Sequence, residues 1–246
     1  MRYLITVCYD GTNFKGYQKQ PRQRTVQGEI EKALKNINGG VKVEIHASGR
    51  TDAGVHALAQ MIHFDLDKKI LPDKLCKGLN SLLPDDIFVR NCTLVSDDFH
   101  ARFSAIGKEY VYRLNMGDYN PLKRNYVYQY NKKLDVVEME RAMKYLEGEH
   151  NFKSFTKSND DTDDYVRIIS QTNLIRDSKN LNEIRFVFVG TGFLRYMVRN
   201  MVGTLIMVGE GKLKSEEIID ILKKEDRSFA GKTANPEGLY LKNVFY

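Results

Sequence analysis

Val41-Lys42-Val43-Glu44-Ile45-His46-Ala47 and the run from Ala57 to Leu66 are two strand-like stretches parted only by Ser48 to His56. In the first, apolar and polar residues alternate with period two, as in a strand with one buried face. Upstream, Val26, Ile30, Ala33, Leu34 and Ile37 fall at helical spacing, with Thr25 as N-cap and Asn38-Gly39-Gly40 as the stop. Before that helix, Tyr3, Ile5, Val7 and Tyr9 share one face of an opening strand. Downstream, Pro72 opens a helix with Leu75, Leu79, Leu82 and Leu83 on one side, and Ile87 to Val95 reads as a strand. Two adjacent strands flanked by helices give the order β-α-β-β-α-β. This is the split βαβ unit of ferredoxin-like and RNA-recognition folds: an antiparallel sheet with helices on one face and the other face left to bind.

The second half repeats the pattern loosely. Lys108 to Asn115 reads as a strand, Asn125 to Tyr130 as a further one, and Val136 to Glu147 as a helix capped by Asp135 with Glu138 three residues on. Val166 to Asp177 and Ile184 to Val189 form a predicted hairpin. The apolar stripe Leu194, Met197, Val198, Met201, Val202, Leu205 and Ile206 predicts a helix, Ser215 caps another to about Lys224, and Gly238 to Tyr246 closes as a strand. The expected fold class is α+β: two related halves of split βαβ type, 1–104 and 105–246, with antiparallel sheets and helices packed on one face.

The 246 residues include 38 Lys+Arg, 32 Asp+Glu and three Cys, for a net charge of +6. No window approaches the roughly 18 apolar residues of a membrane span. Met1-Arg2-Tyr3-Leu4 runs into a strand pattern instead of a signal peptide, so a cytoplasmic chain is expected. Cys8, Cys76 and Cys92 are odd in number and far apart, and the five His form no HExxH. Neither a disulfide framework nor a metal site is expected.

Between Gly11 and Gly28 there is no acidic residue, while Lys15, Lys19, Arg22 and Arg24 accompany Phe14 and Tyr17. Such a loop suits a phosphate backbone and unstacked bases, although composition alone favours a solvated basic surface. A second acid-free stretch, Ile184 to Gly209, holds Arg185, Arg195 and Arg199, the last two at i,i+4 on the predicted helix. Ala47-Ser48-Gly49-Arg50-Thr51-Asp52-Ala53-Gly54-Val55-His56 is too polar and glycine-rich for a plain hairpin. Its glycines permit positive φ around Asp52, which either closes an Asx turn or presents a fixed carboxylate. Asn159-Asp160-Asp161-Thr162-Asp163-Asp164 lacks EF-hand spacing and reads as a solvated loop. His56 and His63 are expected to serve packing or loop hydrogen bonds.

The segment Gly49-Arg50-Thr51-Asp52-Ala53-Gly54-Val55-His56-Ala57 resembles the signature of the A-type tRNA pseudouridine synthases. The resemblance extends to Tyr9-Asp10-Gly11-Thr12-Asn13-Phe14, Gly16-Tyr17-Gln18-Lys19-Gln20, Arg24-Thr25-Val26-Gln27-Gly28 and Phe99-His100-Ala101-Arg102-Phe103-Ser104-Ala105. It continues in Lys108-Glu109-Tyr110-Val111-Tyr112, Met197-Val198-Arg199-Asn200-Met201-Val202-Gly203 and Ala234-Asn235-Pro236-Glu237-Gly238-Leu239-Tyr240-Leu241. Tyr17 stands where the family more often has Trp.

What the resemblance implies is an isomerase, of the intramolecular-transferase kind, converting uridine to pseudouridine at positions 38, 39 and 40 of the tRNA anticodon stem-loop, with no cofactor or metal. It implies Asp52 as nucleophile, Tyr110 stacked on the target base and Arg199 paired with Asp52. By the same resemblance Arg50 binds RNA or shapes the site, and the protein is a homodimer. Two rivals stand beside it: a non-catalytic RNA-binding protein with paired RRM-like halves, disfavoured by the lack of an RNP1 motif, and a paralogue modifying a different uridine.

Overall fold

The computed structural model describes residues 1–157 and 163–246, in two compact units. The first comprises Met1–Ile106 and Tyr240–Tyr246. It opens with β1 (Arg2–Tyr9), α1 (Val26–Ile37), β2 (His46–Ala47), β3 (His56–Asp65), α2 (Pro72–Leu82) and β4 (Ile87–Val95). The strand order is β4-β1-β3-β2, every pair antiparallel, which is the split βαβ arrangement. Tyr3, Ile5 and Val7 face Phe64, Ile62 and Gln60 across the β1/β3 ladder, on the buried face. Thr25 caps α1 by accepting from the Gly28 amide, and Gly39 and Gly40 end it at positive φ.

Two expectations are corrected here. The strand expected over 41–47 pairs only at His46 and Ala47; Val43 and Ile45 are buried and their polar neighbours exposed, so the alternation is real while the ladder is not. On α2 only Leu75 and Leu79 are buried, and Leu82 lies exposed at the end of the helix, so the stripe is narrower than its spacing suggested.

The second unit, Gly107–Leu239, contains β5 (Gly107–Asn115), β6 (Tyr128–Gln129), α3 (Val136–Lys144), β7 (Gly148–Asn151), β8 (Val166–Arg176), β9 (Glu183–Gly190), α4 (Met197–Gly209) and α5 (Glu217–Lys224). Its antiparallel strands run β5-β9-β8-β7, with β6 parallel to β5. Both units are thus α+β, and in the second β7, β8 and β9 form a meander that α4 follows. Asp135 caps α3 as expected, accepting from the amides of Val137 and Glu138.

The apolar stripe from Leu194 becomes helical only at Met197, because Tyr196 takes a left-handed conformation (φ 63°). Arg195 therefore precedes the helix and does not stack on Arg199 as a helical neighbour; the two guanidiniums instead lie 5.2 and 5.1 Å from the Tyr196 ring. Ser215 does not cap α5: it is buried, and its hydroxyl bonds Glu216. Along α4, Gly203 and Thr204 abut the backbone of residues 231–232, where Gly231 N–H donates to Thr204 Oγ1 at 2.8 Å.

The last strand, β10 (Leu239–Phe245), joins the first unit from Tyr240 onward, where Tyr240 and Leu241 pair parallel with His56 and Ala57 of β3. No helix among the described residues is long and apolar enough to cross a membrane.

Candidate active site

Asp52 sits in the turn between β2 and β3, half-buried, with its backbone fixed on both sides. Its carbonyl accepts from the Val55 amide at 3.1 Å, and the preceding Thr51 carbonyl accepts from the Tyr17 amide at 3.0 Å. Gly54 supplies the positive φ expected of this segment (78°), whereas Gly49 does not adopt one. The second permissive position comes from the neighbouring loop: Gly16 has φ 93°, and a Cβ there would lie 2.9 Å from the Thr51 carbonyl oxygen. A Cβ on Gly11 would run into the Val55 carbonyl. The loop of residues 11–24 is therefore the close-packed wall of the Asp52 turn.

That loop is less cationic in space than in sequence. Arg24 makes a bidentate pair with Asp86 (2.7 and 2.8 Å) and lies 4.1 Å over the Phe14 ring, and Lys19 pairs with Glu31 at 2.7 Å. Lys15 and Arg22 are exposed, with no side-chain partner among the described residues, and Arg22 takes φ 58°. Phe14 and Tyr17 are 2% and 4% exposed, so neither offers its ring to an unstacked base; this corrects the reading of the loop as a stacking surface. The Tyr17 hydroxyl is buried without a hydrogen-bond partner among the described residues. Arg50, two residues before Asp52, points its chain position to solvent.

Both nearby histidines do structural work. His56 Nδ1 accepts from the Gly11 amide at 3.0 Å while its ring stacks on Tyr240, and His63 Nδ1 accepts from the Ala101 amide at 3.0 Å. Burial, then the neighbouring His100 and His46, push His63 down to about 4, which keeps it a neutral acceptor at physiological pH.

In the second unit, Tyr110 is on β5, 8% exposed, edge-on to Phe193 at 5.0 Å. Tyr112, two residues on, is wholly buried and donates to the Asn235 carbonyl at 2.7 Å. Arg199, in the first turn of α4, is half-buried, and its Nε donates to the Ala234 carbonyl at 2.7 Å. Next to it, Asn200 is fully buried and bonded on both ends: Nδ2 donates to the Phe155 carbonyl (2.7 Å), and Oδ1 accepts from Thr233 (2.7 Å) and Arg227 (3.0 Å). Arg185, by contrast, pairs with Asp177. Arg50, Asp52 and the basic loop thus belong to the first unit, and Tyr110 and Arg199 to the second.

Asn159 to Thr162 lie outside the described residues; of the rest of that acidic run, Asp164 accepts from the Val166 amide and pairs with Arg167 at 3.2 Å. Among the described residues no group of three or more His, Cys, Asp or Glu side chains is placed to hold a metal ion.

Comparison with known proteins gives one consistent result. The family model described as tRNA pseudouridine synthase matches residues 5–104 and 142–246. Proteins named tRNA pseudouridine synthase A from Anoxybacillus flavithermus, Geobacillus sp. and Streptococcus mutans are 47%, 46% and 46% identical over the whole chain, covering 98%, 98% and 99% of their own lengths.

Proposed function

The chain belongs to the tRNA pseudouridine synthase family, and on that premise we propose that it isomerises uridine to pseudouridine at positions 38, 39 and 40 of the tRNA anticodon stem-loop, with Asp52 as nucleophile. It is an isomerase acting on tRNA. The observation that carries the finer reading is the Asp52 turn: a half-buried carboxylate on a backbone clamped by Tyr17, Val55 and two glycine close approaches. RNA binding alone has no use for a carboxylate held this way.

In the proposed reaction the Asp52 carboxylate assists breakage of the C1'–N1 bond, forming a covalent or glycal-like intermediate. The uracil turns, C5 bonds to C1', the carboxylate is released, and the C5 proton is lost while N1 gains one. The base must leave its stack for this, and Tyr110 is the aromatic surface proposed to receive it. Arg199 is proposed to pair with Asp52, favouring its charged form. The proposal includes a cytoplasmic homodimer.

The test is tritium release from tRNA transcripts carrying 5-tritiated uridine, followed by mapping of the product. Release mapped to positions 38, 39 and 40 is the expected outcome. Release mapped elsewhere overturns the site assignment, and tight binding without release from any tRNA favours the binding-protein rival.

RNA contact by the basic loop is expected to divide unequally. Arg22→Ala removes an exposed cation with no side-chain partner among the described residues and should lower the salt slope of tRNA binding by about one. Arg24→Ala should lower it by much less, because Asp86 already neutralises that guanidinium. Binding titrations across a salt series decide; equal slopes for both variants would show that Arg24 gives up Asp86 for phosphate.

A further inference from the structure

Gln60 is wholly buried on β3, opposite Val7 on the core-facing side of the ladder, where an apolar side chain would ordinarily stand. A buried carboxamide is costly unless its hydrogen-bonding capacity is used, and here it is. Its Oε1 accepts from Ser48 Oγ at 2.6 Å, and its Nε2 donates to the Gly49 carbonyl at 2.9 Å. Nearby, the Tyr9 hydroxyl is hydrogen-bonded to Thr51 Oγ1, 2.8 Å away, where either hydroxyl can be the donor. Burial raises the pKa of Tyr9, so the proton stays in place across the working pH range. Tyr9, Ser48, Thr51 and Gln60 are all buried, away from bulk water.

We propose that Tyr9 and Gln60 are positioning residues for the isomerisation: through Ser48, Gly49 and Thr51 they bolt the chain entering Asp52, so that its carboxylate stands in one orientation. This rests on the reading of Asp52 as nucleophile. The bolt links residues 42 positions apart, Tyr9 at the end of β1 and Thr51 just before the carboxylate. Loss of one hydrogen bond frees the turn without touching substrate, and misplacement of a reacting group by about 1 Å costs on the order of a hundredfold in rate.

Tyr3 supplies the control. It lies on the same strand and face, and its hydroxyl also makes two hydrogen bonds, to the carbonyl (2.8 Å) and amide (2.9 Å) of Ile70, with no bond to the Asp52 turn. Steady-state kinetics on tRNA and amide hydrogen exchange over residues 48–55 are measured for Tyr9→Phe, Gln60→Met and Tyr3→Phe. Tyr9→Phe and Gln60→Met are expected to lose about tenfold or more in kcat, with KM within about threefold and faster exchange in 48–55. Tyr3→Phe should lower the melting temperature yet keep kcat and the exchange of that segment. Thr51→Ser, which keeps the hydroxyl, should retain kcat, and Thr51→Val should behave like Tyr9→Phe. An unchanged kcat in Tyr9→Phe, or an equal loss in Tyr3→Phe, overturns the proposal. If the wild type released no tritium, the reading of Asp52 would fall while exchange still decided the bolt: unchanged protection in Tyr9→Phe would overturn it.

Discussion

Asp52→Asn is expected to lower isomerisation by about 10⁴-fold or more while tRNA affinity stays within about tenfold. The two halves of that expectation have different physical origins. Asparagine has nearly the shape of aspartate, so the turn defined by Thr51, Val55, Gly16 and Gly54 should close around it as before. What it lacks is the charge and nucleophilicity needed to take the bond to C1', and removal of a nucleophile commonly costs several orders of magnitude. Affinity for tRNA comes mainly from cations meeting phosphates, to which one carboxylate contributes little. Single-turnover tritium release beside a filter-binding titration separates the two. Turnover within tenfold of wild type would remove Asp52 as nucleophile; parallel loss of binding and turnover would make it a structural residue of the turn.

Where local chemistry writes the structure, it is legible. Thr25 and Asn38-Gly39-Gly40 bracket α1 at both ends, Ile87 to Val95 is strand throughout, and the order of the first six elements follows from their periodicities. The Asp52 turn was readable as unusual because its glycines and polar residues sit where a hairpin should be. Hidden from such reading is whatever depends on a distant partner. The basic loop looks unopposed in sequence, yet Asp86, 62 residues beyond Arg24, pairs with that guanidinium. Gln60 looked like one more strand residue because its hydrogen bonds go to Ser48 and Gly49 in the turn. Tyr196 lies within the span of the helical stripe, but its left-handed backbone delays α4 until Met197, and no side-chain pattern announces that turn. The return of residues 240–246 to the first unit likewise has no local signal.

Gly203→Ala is expected to destabilise the protein by about 3 kcal/mol or more, although alanine is ordinarily the better helix former by about 1 kcal/mol. Gly203 lies in the middle of α4, and a Cβ there would collide with the Lys232 carbonyl oxygen. That segment cannot yield cheaply, because the Gly231 amide is held by Thr204 and the Ala234 amide by the Arg199 carbonyl at 3.1 Å. Parting the two backbones also moves the Ala234 carbonyl that accepts from Arg199 Nε, so the proposed partner of Asp52 should lose its orientation along with the stability. Gly78→Ala provides the opposite case: it too is helical, on α2, but its Cβ would meet only Ile37 Cδ1 at 3.6 Å, an ordinary contact. There the usual propensity should prevail, with a gain of about 0.5–1 kcal/mol. Urea unfolding of both variants, with tritium release measured well below the midpoint, checks the pair. A Gly203→Ala protein as stable as the wild type would show that residues 231–234 shift freely, and retained turnover in it would detach the orientation of Arg199 from the Ala234 contact.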